Sequence, residues 1–464
     1  MTGRLIVVSN RIPTQAVASG GLVVALHDAL SKTGGVWIGA NSDPVETQTD
    51  TLTEIGATPY QRLAFDLTED EYENYYLGFS NSVLWPICHR RDDLVQLSAD
   101  FERAYHGLNT RLARMIADIL HPDDVVWVQD YHFFPLAQAL RKLGVRNRIG
   151  FFLHIPFPSI GDLAALPHPE DFAAWLASYT LVGLQTQGDT ARCLEMYRAD
   201  NRAEFLPNGA IKFGDQIVGI GSFPIGIDTE GFAATAAQVT EDPFAGEAPR
   251  EYIIGVDRLD YSKGLPNRML AFGEYLKNRK DRSRRPCLIQ IAPPTREEVE
   301  AYRQITMELE EISGHVNGAH ADLGWTPIRY IHRSVDRHRL APLLRRARVG
   351  LVTPFADGMN LVAKEYVAAQ DPADPGVLVL SRLAGAAEEM VDAVQINPYD
   401  VSEIARGIET ALDMPLEERQ QRHAALMETV RNSDVATWSR NFLQALDTIP
   451  TTLSSDHYWQ ERAG

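Results

Sequence analysis

The chain has 464 residues, 45% of them hydrophobic and 23% charged, which suits a folded protein and is long enough that two hydrophobic cores are expected. With 44 Lys and Arg against 62 Asp and Glu, the formal net charge is −18, which disfavours nucleic acid and anionic membrane as partners and makes any local cluster of cations informative. No apolar run approaches membrane-spanning length and no signal-peptide pattern opens the chain, so a cytoplasmic protein is expected, while Cys88, Cys193 and Cys287 are too few and too widely spaced to suggest disulfides or a zinc site.

Short apolar strands alternate with amphipathic helices almost from end to end. In the first half the strand candidates are LIVVSN (5–10), VVWVQD (125–130), RIGFFLH (148–154) and LVGLQT (181–186). Between them Phe101, Tyr105, Leu108, Leu112, Met115 and Ile119 recur at helical spacing. The stretch 228–250 is rich in small and acidic residues with two prolines and reads as a boundary, giving domains 1–228 and 229–464. The second half repeats the pattern with YIIGVD (252–257), CLIQIA (287–292), RYIHRS (329–334), VGLVTP (349–354) and GVLVLS (376–381). Residues 401–448 read as wholly helical, with a last helix near 435–446 that serves packing and is expected to return to the N-terminal domain.

Such alternation predicts an α/β fold with parallel, doubly wound sheets, in which ligands sit beyond the carboxyl ends of the strands. Two stretches there carry chemistry. In VDRLDYSKGLPNRML (256–270) a strand ends at Asp257, Arg258 and Lys263 follow, and Ser262 with Pro266 reads as the cap and start of a helix. Backbone N–H groups, helix dipole and two cations make an anion site. In LVTPFADGMNLVAKEYVAAQ (351–370) a strand gives way at Asp357–Gly358 to a helix. Gly358, Met359 and Asn360 bring further N–H groups, and Glu365 lies one turn beyond Leu361, where a carboxylate can accept from a ribose diol. Together these segments suggest a sugar nucleotide.

The motifs DRLDYSKGLPNR, DGMNLVAKEYVAAQ, NSVLWP, QDYH and GFFLHIPFPS, in this order, resemble the trehalose-6-phosphate synthase family over essentially the whole chain. The resemblance implies a GT-B arrangement, two facing Rossmann-like domains with an interdomain active-site cleft. It implies retaining transfer of glucose from UDP-glucose to glucose 6-phosphate, by a same-face route in which the protein positions the reactants and stabilises the leaving diphosphate. Carried onto this sequence, Arg258 and Lys263 bind the diphosphate, Glu365 the ribose, and Asp357, Gly358, Met359, Asn360, Leu361 and Val362 the glucosyl and phosphate groups. Gly21 matches the glycine loop over the donor. Arg11, Trp37, Tyr76, Trp85, Asp130 and Arg296 match the glucose-6-phosphate shell, and His154 lies beside the transferred glucose. Ala40 stands where relatives often carry another aromatic.

The substrates implied are small molecules; no cofactor and no metal is expected, since no HExxH, P-loop or convincing DxD pattern occurs and Arg258 and Lys263 would replace a divalent cation. A relative using another acceptor, such as glycerol 3-phosphate, and a non-catalytic sugar-phosphate sensor are the alternatives, the first disfavoured by Trp37, Tyr76 and Trp85 and the second by Arg258, Lys263 and Glu365. A dehydrogenase is disfavoured because GIGSFP (219–224) lacks the third glycine of a dinucleotide fingerprint. Homo-oligomerisation and the donor base stay open.

Overall fold

The computed structural model describes residues 3–13, 23, 26, 27, 29–31, 34–238, 251–296 and 298–450. It divides into two compact units, Met1–Phe223 with Trp438–Gly464, and Pro224–Thr437. The divide precedes the expected 228/229 boundary because the segment after Phe223 is held by the second unit. Lys364 Nζ donates to the Ile225 carbonyl at 2.9 Å, and the Val435 N–H donates to that of Ile227 at 3.2 Å.

The strands of the first unit are β1 (Leu5–Arg11), β2 (Val36–Ala40), β3 (Thr53–Gly56), β4 (Gln61–Phe65), β5 (Val125–Gln129), β6 (Ile149–Phe152), β7 (Leu181–Leu184), β8 (Ala203–Phe205), β9 (Ile211–Phe213) and β10 (Gln216–Ser222). Among the described residues they form one sheet in the order β3-β4-β2-β1-β5-β6-β7-β10-β9-β8. The run from β4 to β10 is parallel, and β3, β9 and β8 add antiparallel edges. The central strands β2, β5, β6 and β7 are buried at every position, which is why they read as continuous apolar runs rather than alternating ones.

The final helix, Val435–Thr448, enters this unit from Trp438 onward. Trp438 and Phe442 lie against Trp127 at ring distances of 4.9 Å each. The close approach needs glycine in the sheet: a Cβ on Gly150 or Gly183 would fall 2.7 or 2.6 Å from the Phe442 ring.

The second unit holds β11 (Tyr252–Val256), β12 (Cys287–Ile291), β13 (Ile328–Ile331), β14 (Val349–Val352), β15 (Val377–Ser381) and β16 (Val394–Ile396). All pair in parallel, in the order β13-β12-β11-β14-β15-β16. Counted from β11 this is 3-2-1-4-5-6, the doubly wound order, whose strand sequence reverses between β11 and β14. The first unit reverses in the same way between β1 and β5, flanked by β2 and β6. The crevices beyond β11/β14 and β1/β5 are therefore the places where loops on either side can converge on a ligand.

Candidate active site

Beyond β11 the chain turns at Asp257–Asp260 into a 3₁₀ turn, Tyr261–Lys263. Asp260 Oδ1 accepts the Ser262 N–H at 2.9 Å, and its carbonyl accepts that of Lys263 at 3.0 Å. The following helix, Leu265–Asn278, is capped by Gly264 in the left-handed region at φ 64°, and not by Ser262 as the sequence suggested. A Cβ on Gly264 would lie 2.2 Å from the Thr353 carbonyl oxygen, so only glycine lets the helix begin against the end of β14. Ser262 instead ties the two loops together, its carbonyl accepting the Phe355 N–H at 2.7 Å.

Beyond β14 lies the second half of the site. Asn360, at φ 72°, caps the helix Leu361–Ala369 by accepting the Ala363 N–H at 3.2 Å. Its amide donates to Asp357 Oδ2 at 3.0 Å and Asp257 Oδ1 at 3.3 Å. Lys263 Nζ, nearly buried, donates to the same Asp357 oxygen at 2.6 Å, so the lysine of one loop is matched by the aspartate of the other. Among the described residues, none of the N–H groups of Gly358, Met359, Leu361 and Val362 donates to a backbone carbonyl. These donors at a helix start, with Lys263 beside them, form an anion-binding nest. Arg258 is exposed directly after β11, and Leu361 and Val362 are half-buried.

Glu365 is half-buried one turn along this helix, and desolvation pushes its carboxyl up to about 7, with the charge of Arg337 opposing. The next inward residue, Lys364, is fully buried; besides the Ile225 carbonyl it meets Glu389 Oε2 at 2.8 Å and Ser433 Oγ at 3.3 Å. Its burial lowers its pKa.

A support the sequence did not disclose lies beneath. Arg268 has 0% exposure and bridges three strand ends: Nη2 donates to Asp257 Oδ2 at 2.7 Å, Nε to Thr353 Oγ1 at 3.0 Å and Nη1 to Gln290 Oε1 at 3.0 Å. Burial raises the Asp257 carboxyl, countered by the charges of Arg268 and Lys263. The residue types hint at ion pairing, but nothing in their spacing joins an arginine inside a helix to the floor of a loop site.

Arg296 follows β12 and is also nearly buried, at φ 50°. Its Nη1 donates to the Tyr302 hydroxyl at 2.6 Å and lies 3.6 Å from Asp260 Oδ2, which accepts from that hydroxyl at 3.1 Å.

In the first unit the turn after β5 gathers most of the remaining candidates. Asp130 sits at φ 75°, and its Oδ1 accepts the His154 N–H at 3.1 Å. Tyr131 lies against Trp85 at 5.6 Å, and His132 stacks on Tyr76 at 5.9 Å. Arg11, exposed at the end of β1, donates to the Tyr76 hydroxyl at 3.2 Å. Tyr76 rides on a helix, Tyr72–Leu84, wound with the wider π pitch, in which the side chains of Asn81 and Ser82 donate to the Tyr76 and Leu77 carbonyls at 2.7 Å each. His154 Nε2 is 2.9 Å from Gln129 Oε1, and burial lowers its pKa to about 3, so the ring is neutral at physiological pH.

One further expectation changes. Trp37 is 1% exposed, its indole donating to Ser9 Oγ at 2.7 Å, so it offers no ring face to a ligand. Ser9 in turn donates to the Arg11 carbonyl at 2.7 Å, which makes Trp37 a prop beneath Arg11. Ala40 pairs with Arg11 across β1 and β2. Gly21 lies outside the described residues.

The glycosyltransferase family 20 model matches residues 5–448. A trehalose-6-phosphate synthase of Sinorhizobium fredii is 43% identical, the match covering 98% of this chain and 99% of that protein. A crystal structure of a UDP-forming α,α-trehalose-phosphate synthase from Burkholderia xenovorans in complex with glucose-6-phosphate superimposes with a TM-score of 0.91 at 43% identity, covering 96% of this chain and 100% of that one. A structure from E. coli bound with UDP-2-fluoro glucose gives a TM-score of 0.92 at 41% identity, covering 97% and 100%.

Proposed function

Because the chain belongs to glycosyltransferase family 20, we propose that it transfers glucose from UDP-glucose to glucose 6-phosphate with retention, giving α,α-trehalose 6-phosphate and UDP. The observation that carries this reading is the nest beyond β11 and β14, where N–H groups of residues 358–362 lie beside Lys263 and its partner Asp357. Its charge and shape suit a diphosphate, and Glu365 one turn further suits a ribose diol.

In this reading Arg258, Lys263 and the N–H groups take up the charge that grows on the departing UDP, the role for which fixed donors in a preorganised site are most effective. Asp357 and Asn360 orient the glucosyl group. Arg11, Tyr76, Asp130 and Arg296 hold glucose 6-phosphate, Trp37 acting only through the backbone of Arg11 and Trp85, 3% exposed and stacked on His89 at 4.1 Å, only as packing against Tyr131. His154, neutral and held by Gln129, supplies a hydrogen-bonding edge without a competing positive charge. The substrates are small molecules and the setting is cytoplasmic, which suits three buried free thiols.

The test is incubation of the purified protein with UDP-glucose and glucose 6-phosphate, following UDP release and the disaccharide phosphate by mass spectrometry. GDP- and ADP-glucose are run as rival donors, and glycerol 3-phosphate and glucose as rival acceptors. Stoichiometric UDP and α,α-trehalose 6-phosphate are expected. UDP release with glycerol 3-phosphate but not glucose 6-phosphate would overturn the acceptor assignment, and binding of both sugars without transfer would make the protein a sensor.

A further inference from the structure

Asp260 stands between two functions that the reading above assigns separately. Its side chain is fully buried, and each carboxylate oxygen has a distinct task. Oδ1 accepts the Ser262 N–H and fixes the 3₁₀ turn that carries Lys263, whose ammonium faces Asp357 at 2.6 Å. Oδ2 accepts from the Tyr302 hydroxyl at 3.1 Å and lies 3.6 Å from Arg296 Nη1. The hydroxyl also accepts from Arg296 at 2.6 Å, and the guanidinium carbon lies 5.6 Å from the Tyr302 ring centroid. Arg296 is thereby held at φ 50°, a left-handed conformation that a non-glycine residue keeps only when its surroundings fix it.

We infer that Asp260 is a positioning residue that couples the two substrates: the carboxylate that sets the diphosphate lysine also sets the acceptor-phosphate arginine, through Tyr302. This rests on Arg296 belonging to the acceptor site and Lys263 to the donor site. A shift of the Lys263 turn on donor binding moves Oδ2 and re-aims Arg296, and the reverse holds by linkage, so each ligand raises the affinity of the other by the same factor. A buried carboxylate bound at both oxygens transmits such a shift better than a solvated one, because neither bond can be replaced by water.

The experiment titrates UDP with and without glucose 6-phosphate, and glucose 6-phosphate with and without UDP, on the full chain and on Asp260→Asn, Asp260→Ala, Tyr302→Phe and Arg296→Ala. Asp260→Asn keeps an acceptor for Ser262 but loses the charge facing Arg296, and Tyr302→Phe removes only the bridging hydroxyl. Both are expected to leave the affinity for UDP alone within about twofold and to weaken glucose 6-phosphate about ten- to hundredfold, as for loss of one hydrogen bond to a charged group. Both should also bring the mutual enhancement close to one, with KM for the acceptor rising more than kcat falls. Asp260→Ala should weaken both ligands. Unchanged enhancement in Tyr302→Phe, or in a folded Asp260→Asn, overturns the coupling. If Arg296→Ala binds glucose 6-phosphate normally, the acceptor assignment itself is at fault, a result separate from the first. Should Asp260→Asn fail to fold, Tyr302→Phe alone decides.

Discussion

Replacing Arg268 by Met tests whether the donor site stands on a buried ion pair. Arg268 is inaccessible and Asp257 nearly so, and their contact is 2.7 Å. Methionine fills similar space but leaves the carboxylate buried without its main partner, a change that typically costs about 3–5 kcal/mol. For a unit the size of Pro224–Thr437, each kcal/mol lowers Tm by about 2–4 °C, so a drop of about 6–20 °C is expected for it. Burial already holds the Asp257 carboxyl above its usual range, and losing Arg268 raises it further. The folded state then binds a proton that the unfolded state releases, so the variant loses stability as pH rises from the ordinary carboxylate range toward the new folded pKa. The deficit should be smaller at pH 5 than at pH 8. Adding Asp257→Asn removes the stranded charge and should recover at least half of it. Donor binding should weaken about fivefold, since Asp257, no longer anchored by Arg268, holds the Asn360 amide less firmly, a loss of about 1 kcal/mol. Calorimetry at the two pH values and a UDP titration provide the readings. A wild-type Tm for Arg268→Met at pH 8, or a deficit independent of pH, would refute the argument.

Glu365→Gln should flatten two pH profiles. The Glu365 carboxyl moves from its ordinary 4.5 to about 7 in the folded protein, so its contribution to stability falls between those values and is level above, and the Gln variant gains relative to wild type over that window. UDP affinity should rise more steeply through pH 7 in wild type, as the carboxylate becomes able to accept from the ribose, than in the variant, where the terminal phosphate of UDP still titrates; equal slopes in titrations at pH 5.5 and 8.5 would remove Glu365 from the ribose. Arg258 is exposed, so Arg258→Ala should leave Tm unchanged while turnover falls by about two to three orders of magnitude, and wild-type turnover would show that it does not face the leaving group. Transfer should survive EDTA, because the diphosphate charge is met by Lys263, Arg258 and backbone N–H groups; abolition with rescue by magnesium or manganese would reveal a metal requirement.

The parallel strands were legible because burial on both faces makes them uninterrupted apolar runs, and β1, β5, β7, β11 and β15 begin within a residue of where the sequence suggests. The ends of β5, β6 and β11 were read too long: Asp130, His154 and Asp257 lie just past them, where a polar side chain leaves the sheet for the crevice. The strands β2, β3, β4, β8, β9, β10 and β16 escaped notice; all but β10 are three to five residues long and carry too little periodicity. The grouping of backbone donors and cations beyond β11 and β14 was visible because glycine, asparagine and cations at a strand-to-helix turn seldom occur together without a shared role. Ser262 misled because an intervening 3₁₀ turn, capped by Asp260, moves the helix start to Gly264. Trp37 misled because an indole on a central strand is core by default, and only its neighbour Ser9 shows which way it faces. Arg268 and Tyr302 could not be found, as their partners are set by long-range packing.

The pairing of Lys263 with Asp357 bears on what donor binding can contribute to rate. A lysine this deeply placed is costly to leave unpaired, and Asp357 supplies its counter-charge at 2.6 Å before any diphosphate arrives. In the proposed reading, binding of the donor exchanges one anionic partner of Lys263 for another, and the net gain from Lys263 in the ground state is small. The gain grows when the glycosidic bond lengthens and charge builds on the diphosphate, for the lysine already stands beside the nest. Asp357, relieved of the ammonium, keeps the Asn360 amide at 3.0 Å and retains its second oxygen for a sugar hydroxyl. The same exchange explains why aspartate and lysine must come from loops after different strands. Were both on one loop, the pair would move together, and the diphosphate could not separate them without unfolding the turn.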